Sequence, residues 1–383
     1  MSAAPGTQSA RTFDVAIVGL GAMGSAAALE LSRRGAQVIG FDRFTPPHTM
    51  GSSHGDTRII REAYFESPVY VPMVQRAFEL WRALERASGA ALLRQTGGLM
   101  IGEPGGVLVE GALRSAREHG LQHQVLSADE VRARYPVLNP EATMVAVWEP
   151  RAGVLSPEAC VQAQLEQARV HGATLCFDEA VSRWQAEAGG VRVVTASGSY
   201  RAKQLLISAG AWVGSLLPDM ALPFRVERQV QHWFAPHSQA DAFTPQRLPI
   251  HLWQFDGERF FYGFPDMGAG LKMAFHHRGE LGAVDALRRE VDAAEVEDVR
   301  RAIRRFVPGG DGALRASSVC LYTNTPDEHF WIDRHPSHAN VIVASPCSGH
   351  GFKFAPVVGE IVGDLLEDQA ARFDLAAFRW RGA

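Results

Sequence analysis

Val15-Ala16-Ile17-Val18-Gly19-Leu20-Gly21-Ala22-Met23-Gly24, near the start of a 383-residue chain, is an apolar run that breaks into three glycines. Val15 to Val18 reads as a strand buried on both faces, where no polar alternation is expected. Gly19, Leu20 and Gly21 turn the chain. Ala22 to Arg34 has helix-forming composition, and Gly35 offers a stop. Gln37 to Phe41 predicts a second strand, with Asp42 at its end. Strand, G-x-G-x-x-G turn, helix and strand with a terminal acid together form the dinucleotide-binding arrangement. Gly19 permits the tight turn, Gly21 lets the backbone approach a pyrophosphate, and Gly24 lets the helix pack closely on the strand. The helix N-terminus presents N–H groups and the positive end of its dipole to phosphates. Asp42 can accept hydrogen bonds from ribose hydroxyls. The motif does not by itself separate FAD from NAD.

Working outward, Val71 to Arg86 carries Val71, Val74, Phe78, Trp81 and Leu84 at helical spacing. Ser156-Pro157-Glu158 predicts a helix start with a hydroxyl N-cap, running to Val170 and stopping at Gly172. Short strands follow at 173–177, 181–184, 191–195 and 204–208, with Ser197-Gly198 as a turn. Residues 225–280 read as a β-rich insertion, 283–307 as a charged helix, and 355–366 as a last helix after a glycine-rich loop. There is no internal repeat and no flexible linker, so a second unit must be built from insertions into the first. The fold class is α/β (α+β): a Rossmann-like unit from 10–90, 153–222 and 318–366, and a substrate unit with a large mixed sheet from 91–152 and 223–317. Residues 1–11 are expected to be a flexible tail.

Composition narrows the partners. Hydrophobic residues make up 46% and charged residues 21%, the balance of a globular protein rather than a disordered chain. Thirty-eight Lys and Arg face 42 Asp and Glu, with no basic block, so neither nucleic acid nor an anionic membrane is an expected partner. The longest uncharged apolar run, Val15 to Leu29, is too short to span a bilayer. Four scattered cysteines (Cys160, Cys176, Cys320 and Cys347) lack zinc-site or redox-pair spacing; no metal is expected, and a cytoplasmic location with reduced thiols follows.

Several later stretches are less generic. They are His48 with Gly51-Ser52-Ser53-His54-Gly55-Asp56-Thr57-Arg58-Ile59-Ile60-Arg61, Tyr262-Gly263-Phe264-Pro265, Leu271-Lys272, Cys320-Leu321-Tyr322-Thr323-Asn324-Thr325-Pro326-Asp327-Glu328-His329-Phe330, and Ser348-Gly349-His350-Gly351-Phe352-Lys353-Phe354. In content and order they resemble the monomeric sarcosine oxidase and N-methyltryptophan oxidase family, from about Phe13 to Leu366. The resemblance implies an FAD-dependent oxidase that takes a secondary-amine amino acid and O2. The amine becomes an imine that water hydrolyses to aldehyde plus amine, and oxygen becomes hydrogen peroxide. A monomer is implied as well. Open alternatives are a cyclic imino acid (proline or pipecolate) oxidase, a dehydrogenase with a non-oxygen acceptor, and a glycine- or D-amino-acid-oxidase-like enzyme with non-covalent FAD.

The same resemblance assigns residues. A lone cysteine is ordinarily a small buried hydrophobe, but the block around Cys320 matches the segment to which the family attaches the flavin 8α-methyl through a thioether. Most lysines are solvated, whereas Lys272 matches the lysine over the flavin ring where oxygen is activated. Arg61 and Lys353 match the pair that holds the substrate carboxylate, a planar fork and a point charge; the plainer reading of Arg61 is a salt bridge with Glu62 or Asp56. His54, Thr57 and Arg58 match positions near the flavin ring, and Gly349 and Gly351 the loop before the last helix, which together with Lys353 faces the cofactor. Tyr262 and His276 match residues that shape the pocket. Trp253, Phe255 and Phe275 are candidate pocket walls but more ordinary as core. Two departures, Ser53 in place of a second histidine and Pro346-Cys347 before the Ser-Gly-His-Gly run, leave substrate size open.

Overall fold

A computed structural model describes residues 12–220, 222–345 and 348–380; the expected tail and Cys347 lie outside them. Two eight-stranded sheets and one three-stranded sheet organise the chain. The first sheet runs in the order Val181–Glu187, Gly190–Thr195, Ser199–Ile207, Thr12–Val18, Val38–Phe41, Thr174–Cys176. Thr12–Val18 is parallel to both Val38–Phe41 and Ser199–Ile207. The far half of Ser199–Ile207 pairs in parallel with His338–Ser345, which in turn carries the antiparallel Trp331–His335. The central strands are buried on both faces because helices Ala22–Arg33, Pro157–Val170, Val71–Ser88 and Ala355–Leu366 pack together on one side, while Phe41, Val191, Val193, Leu205 and Ile207 close the other. This accounts for the apolar run at 15–18.

The second sheet runs Leu314–Asn324, Arg225–Phe234, Leu271–His276, Arg259–Gly263, Ile250–Phe255, Gly98–Gly102, Val145–Glu149, Gln124–Ser127. Its neighbours are antiparallel except Ile250–Phe255 with Gly98–Gly102, so the sheet is mixed as expected. Helix Ala293–Phe306 covers one face, where Val299, Ile303 and Phe306 meet Trp253, Phe255, Phe261 and Phe275. The three-stranded sheet joins Arg58–Ile60, Gly153–Leu155 and Leu93–Gln95. Among the described residues no helix is long and apolar enough to cross a membrane.

The strand carrying Cys320 is the edge of the second sheet and pairs with Arg225–Phe234, with one register shift at Trp233/Phe234. Two expectations are corrected. The charged stretch 283–307 becomes helical only at Ala293, where Asp292 and Glu295 form a reciprocal capping box; before it, Asp285 bonds the Trp212 indole and Arg289 the Met50 carbonyl. Ser156 makes no side-chain cap bond, and the helix there starts on Pro157 alone.

Candidate active site

The glycine turn is built as its spacing requires. Gly19 has φ +91°, and a Cβ there would stand 2.5 Å from the Ser208 carbonyl oxygen. A Cβ on Gly24 would stand 1.7 Å from the Gly19 carbonyl oxygen, so Gly24 serves helix–strand packing and lies behind the cavity wall. Gly21 is different. Its Cβ would meet only Ser53 Oγ, at 3.4 Å, and the residue faces a long cavity. Ser53 itself accepts the Ala22 N–H at 3.1 Å and so finishes the helix start. Asp42 lines the same end of the cavity. Its two oxygens take the Leu20 and Phe44 N–H groups at 2.7 and 2.9 Å, and His48 Nε2 stands 3.4 Å from the second of them, which fixes the carboxylate while Oδ2 keeps a further lone pair.

From there the cavity runs along the face of the second sheet opposite helix Ala293–Phe306. Strand alternation decides which side chains enter it. Along Leu271–His276, Leu271, Met273 and Phe275 face the helix Ala293–Phe306, while Lys272 and His276 line the cavity. Leu252 and Tyr262 enter from the next strands, whereas Trp253, Phe255 and Phe275 are core.

Lys272 is 2% exposed, and Nζ donates to the Gly55 and Thr57 carbonyls at 2.7 and 2.8 Å. Burial, aided by Arg58, drives its pKa well below the usual lysine value. Cys320 is buried beside the 51–53 loop. Arg58 reaches its sulfur at 3.6 Å while donating to the Ser52 and Thr57 carbonyls, both at 2.7 Å. Ser52 Oγ donates to the Leu321 carbonyl, which sutures that loop to the strand of Cys320. Thr57 also lines the cavity, but His54 does not: it is buried behind the wall, and burial lowers its pKa to about 3.

The other end holds two buried cations. Arg61 is 2% exposed and lies between the rings of Tyr64 and Phe65, at 4.3 and 4.6 Å from their centroids. Its Nη2 donates to both carboxylate oxygens of Glu66, at 2.6 and 2.7 Å, while Nη1 donates to the Ala63 carbonyl at 3.0 Å. The predicted partners were Glu62 or Asp56, but Glu62 pairs with Arg151. Lys353 Nζ donates to the His350 carbonyl at 2.7 Å and the Tyr64 hydroxyl at 3.3 Å. Burial and the Arg61 charge bring Lys353 down to about 7. His350 Nε2 lies 3.0 Å from the Glu328 carbonyl, so that nitrogen carries the proton and Nδ1 accepts from the Tyr64 hydroxyl at 2.6 Å. Gly349 has φ +74°, and a Cβ there would strike Tyr322 and His276 at 2.5 and 2.7 Å. His276 Nδ1 bonds the Tyr322 hydroxyl at 3.0 Å. Burial pushes His276 well below and Tyr262 well above their usual values, which keeps both neutral.

The structure therefore brings Gly19, Gly21, Asp42, Thr57, Arg58, Arg61, Tyr262, Lys272, His276, Cys320, Gly349, Gly351 and Lys353 onto one cavity, and leaves Gly24 and His54 behind its wall. Glu66, Tyr64, Gln231 and Glu158 were missed. Only Gln231 left a signal, a polar residue on the alternating strand Arg225–Phe234.

A family model described as "DAO: FAD dependent oxidoreductase" matches residues 14–365. The chain belongs to this family. It is similar to a monomeric sarcosine oxidase of Streptomyces avermitilis, 46% identical over 92% of this chain and 93% of the relative. An N-methyl-L-tryptophan oxidase of Salmonella dublin is 35% identical over 96% of this chain and 98% of its own. Among solved structures, NikD, an unusual amino acid oxidase essential for nikkomycin biosynthesis, superposes with a TM-score of 0.83 at 22% identity, over 97% and 98% of the two chains. The glycine oxidase of Geobacillus kaustophilus gives 0.81 at 24%, over 97% and 99%. The two structures share the fold.

The residues of this FAD-dependent oxidoreductase fit its cofactor. The cradle at Gly19 and Gly24 admits no Cβ, and Gly21 opens on the cavity. Two polar atoms of cavity-lining residues, Thr57 Oγ1 and Gln231 Oε1, are buried without a partner among the described residues, as groups facing a polar occupant would be.

Proposed function

We propose that the protein is an oxidase of N-methyl or other secondary-amine amino acids, with FAD joined to Cys320 and O2 as electron acceptor. The observation that carries this reading is the spacing of its charges along one cavity. Arg61 and Lys353 stand at one end, Lys272 stands on the sheet side, and Cys320 lies between loop and strand. When bound, FAD supplies a two-electron acceptor that dioxygen can reoxidise.

The chain's own residues do the rest. Arg61 already holds a carboxylate, that of Glu66, on its Nη2, so an amino-acid carboxylate can be taken at the same nitrogen. A substrate displaces Glu66 there, and Lys353 adds a second donor. With these cations close by and Tyr262 and His276 neutral, the dry pocket favours the uncharged amine over an ammonium. Lys272 is an amine whose charge is suppressed by burial until an anion forms nearby. Electron transfer to oxygen creates that anion, and the two carbonyls keep Nζ in place without reorganisation. The Arg58 guanidinium donates toward the Cys320 sulfur and holds it beside the 51–53 loop, where it can serve as the nucleophile a thioether requires.

On this reading the FAD unit comprises residues 12–90, 153–222 and 325–366, with the last boundary moved past Asn324, and the substrate unit comprises the remainder up to that point. The sarcosine oxidase relative is named as monomeric, which supports a monomer here; the free thiols of Cys160, Cys176 and Cys320 suit the cytoplasm.

The test is a panel of secondary-amine acids (sarcosine, N-methyl aromatic amino acids, proline, pipecolate) assayed for peroxide under air. N-methyl substrates are expected to lead, and a protein that reduces only artificial acceptors refutes the oxidase reading. Acid precipitation should leave flavin with the protein, and Cys320→Ser should release it into the supernatant. Flavin that washes free from the unaltered chain refutes the attachment.

A further inference from the structure

Glu158 was read from sequence only as part of a helix start. In the structure its Oε1 accepts the Gly55 N–H at 2.6 Å and the Asp56 N–H at 3.2 Å, across a separation of about a hundred residues. The carbonyl of that same Gly55–Asp56 peptide accepts from Lys272 Nζ at 2.7 Å, and the Thr57 carbonyl does so at 2.8 Å. One peptide unit thus connects the carboxylate to the amine. Its N–H is bound at one end and its C=O at the other, and polarisation at either end strengthens the bond at the other.

The turn needs such support. Gly55 has φ +98° and Asp56 φ +63°, a region that non-glycine residues seldom adopt, and Thr57 N–H closes back on the Gly55 carbonyl at 2.6 Å. It also has no room to move inward. A Cβ on Gly55 would lie 2.2 Å from Gln231 Oε1 and 3.4 Å from Lys272 Nζ. The carbonyls that seat Lys272 are therefore aimed by whatever holds the amides of this turn, and the side chain that does so is Glu158.

We propose that Glu158 is a positioning residue for Lys272: by holding the amides of the 55–57 turn, it directs the carbonyls that set where the Lys272 amine stands in the cavity. The proposal rests on the reading of Lys272 as the group that serves the oxygen step. It assigns Glu158 no contact with substrate or cofactor.

The experiment uses the flavin-loaded protein and measures the two half-reactions separately by stopped flow: anaerobic bleaching by the amine, and reoxidation by O2. Glu158→Ala should slow reoxidation about tenfold and change bleaching less than twofold. Glu158→Gln keeps an acceptor oxygen at full reach and should stay within about threefold of the unaltered protein. Glu158→Asp keeps the charge but loses reach, and should behave like Glu158→Ala. The reverse ranking, Asp active and Gln slow, would mean that charge matters and position does not, and would overturn the proposal. Independently of turnover, hydrogen exchange at the Gly55 and Asp56 amides should speed up in Glu158→Ala; unchanged protection overturns the proposal as well.

Lys272→Met separates this inference from the reading beneath it. If Lys272→Met slows reoxidation while all three Glu158 variants leave it unchanged, the positioning role fails and the Lys272 reading stands. If Lys272→Met leaves reoxidation unchanged, the Lys272 reading itself fails. Glu158→Ala placed on Lys272→Met should add nothing; a further tenfold loss would show that Glu158 acts by another route.

Discussion

Lys353→Met should make the protein more stable and, at the same time, poorer at holding a carboxylate. Lys353 is 5% exposed, and burial and Arg61 bring its pKa from 10.5 to about 7. That displacement corresponds to about 5 kcal/mol of destabilisation when the amine is forced to be charged. The folded state binds fewer protons than the unfolded state between pH 7 and 10, so stability rises with pH over that window. Below pH 7 the full penalty is present. Methionine removes the penalty along with two hydrogen bonds, to the His350 carbonyl and the Tyr64 hydroxyl, each worth about 1 kcal/mol. A net gain of about 3 kcal/mol near pH 6 follows, falling to nothing near pH 9 and turning into a loss of about 2 kcal/mol above pH 10. The carboxylate dock loses one charged donor, about 2 kcal/mol or thirtyfold in Kd. The assays are thermal melting at pH 6 and pH 9, and titration of the flavin spectrum with acetate, which has a carboxylate and no amine. Acetate affinity of the unaltered protein should fall as pH rises through 7, and this dependence should flatten in the variant. A variant that melts lower at pH 6, or that binds acetate as tightly as before, refutes the reasoning.

Gly24→Ala places a methyl group 1.7 Å from a carbonyl oxygen that Ser208 Oγ already binds at 2.9 Å, so the purified protein should be colourless. Gly21→Ala meets only Ser53 Oγ at 3.4 Å and should fold normally while holding flavin more weakly, as absorbance after gel filtration would show. Glu66→Gln frees the Arg61 fork from an ion pair. Acetate should then bind roughly tenfold tighter, and the protein should lose about 3 kcal/mol for the buried charge left without its counter-ion; weaker acetate binding would mean that Glu66 does not compete for the dock.

The parts of the fold that were legible in the sequence are those with local causes. The 12–42 unit could be read because buried parallel strands give unbroken apolar runs and because its glycines have steric reasons visible in their spacing. Lys272 was reached through the resemblance its segment carries, and the alternation of its strand, with Leu271, Met273 and Phe275 on the helix side, is what turns it to the cavity. The region 91–152 stayed unread. Strand Gly98–Gly102 pairs with Ile250–Phe255 across some 150 residues, which no short pattern encodes. Helix Val107–Glu118 follows Gly106 with no side-chain cap to announce it. The misjudged partner of Arg61 has a local cause. Asp56 and Glu66 each lie five residues from it, and the chain turns so that Tyr64 and Phe65 pack on the guanidinium and deliver Glu66 to it. Glu158 escaped because a helix start says nothing about a turn one hundred residues earlier.

The nucleotide cradle belongs to one sheet and Cys320 to the edge of the other. A thioether at Cys320 would therefore fasten the two halves of the molecule through the cofactor itself. It is within reach only after both halves have docked and the 51–53 loop has closed on Leu321. Yellow colour that survives boiling would then act as a permanent receipt for completed folding, and chains that stall half-assembled would be recognisable by its absence.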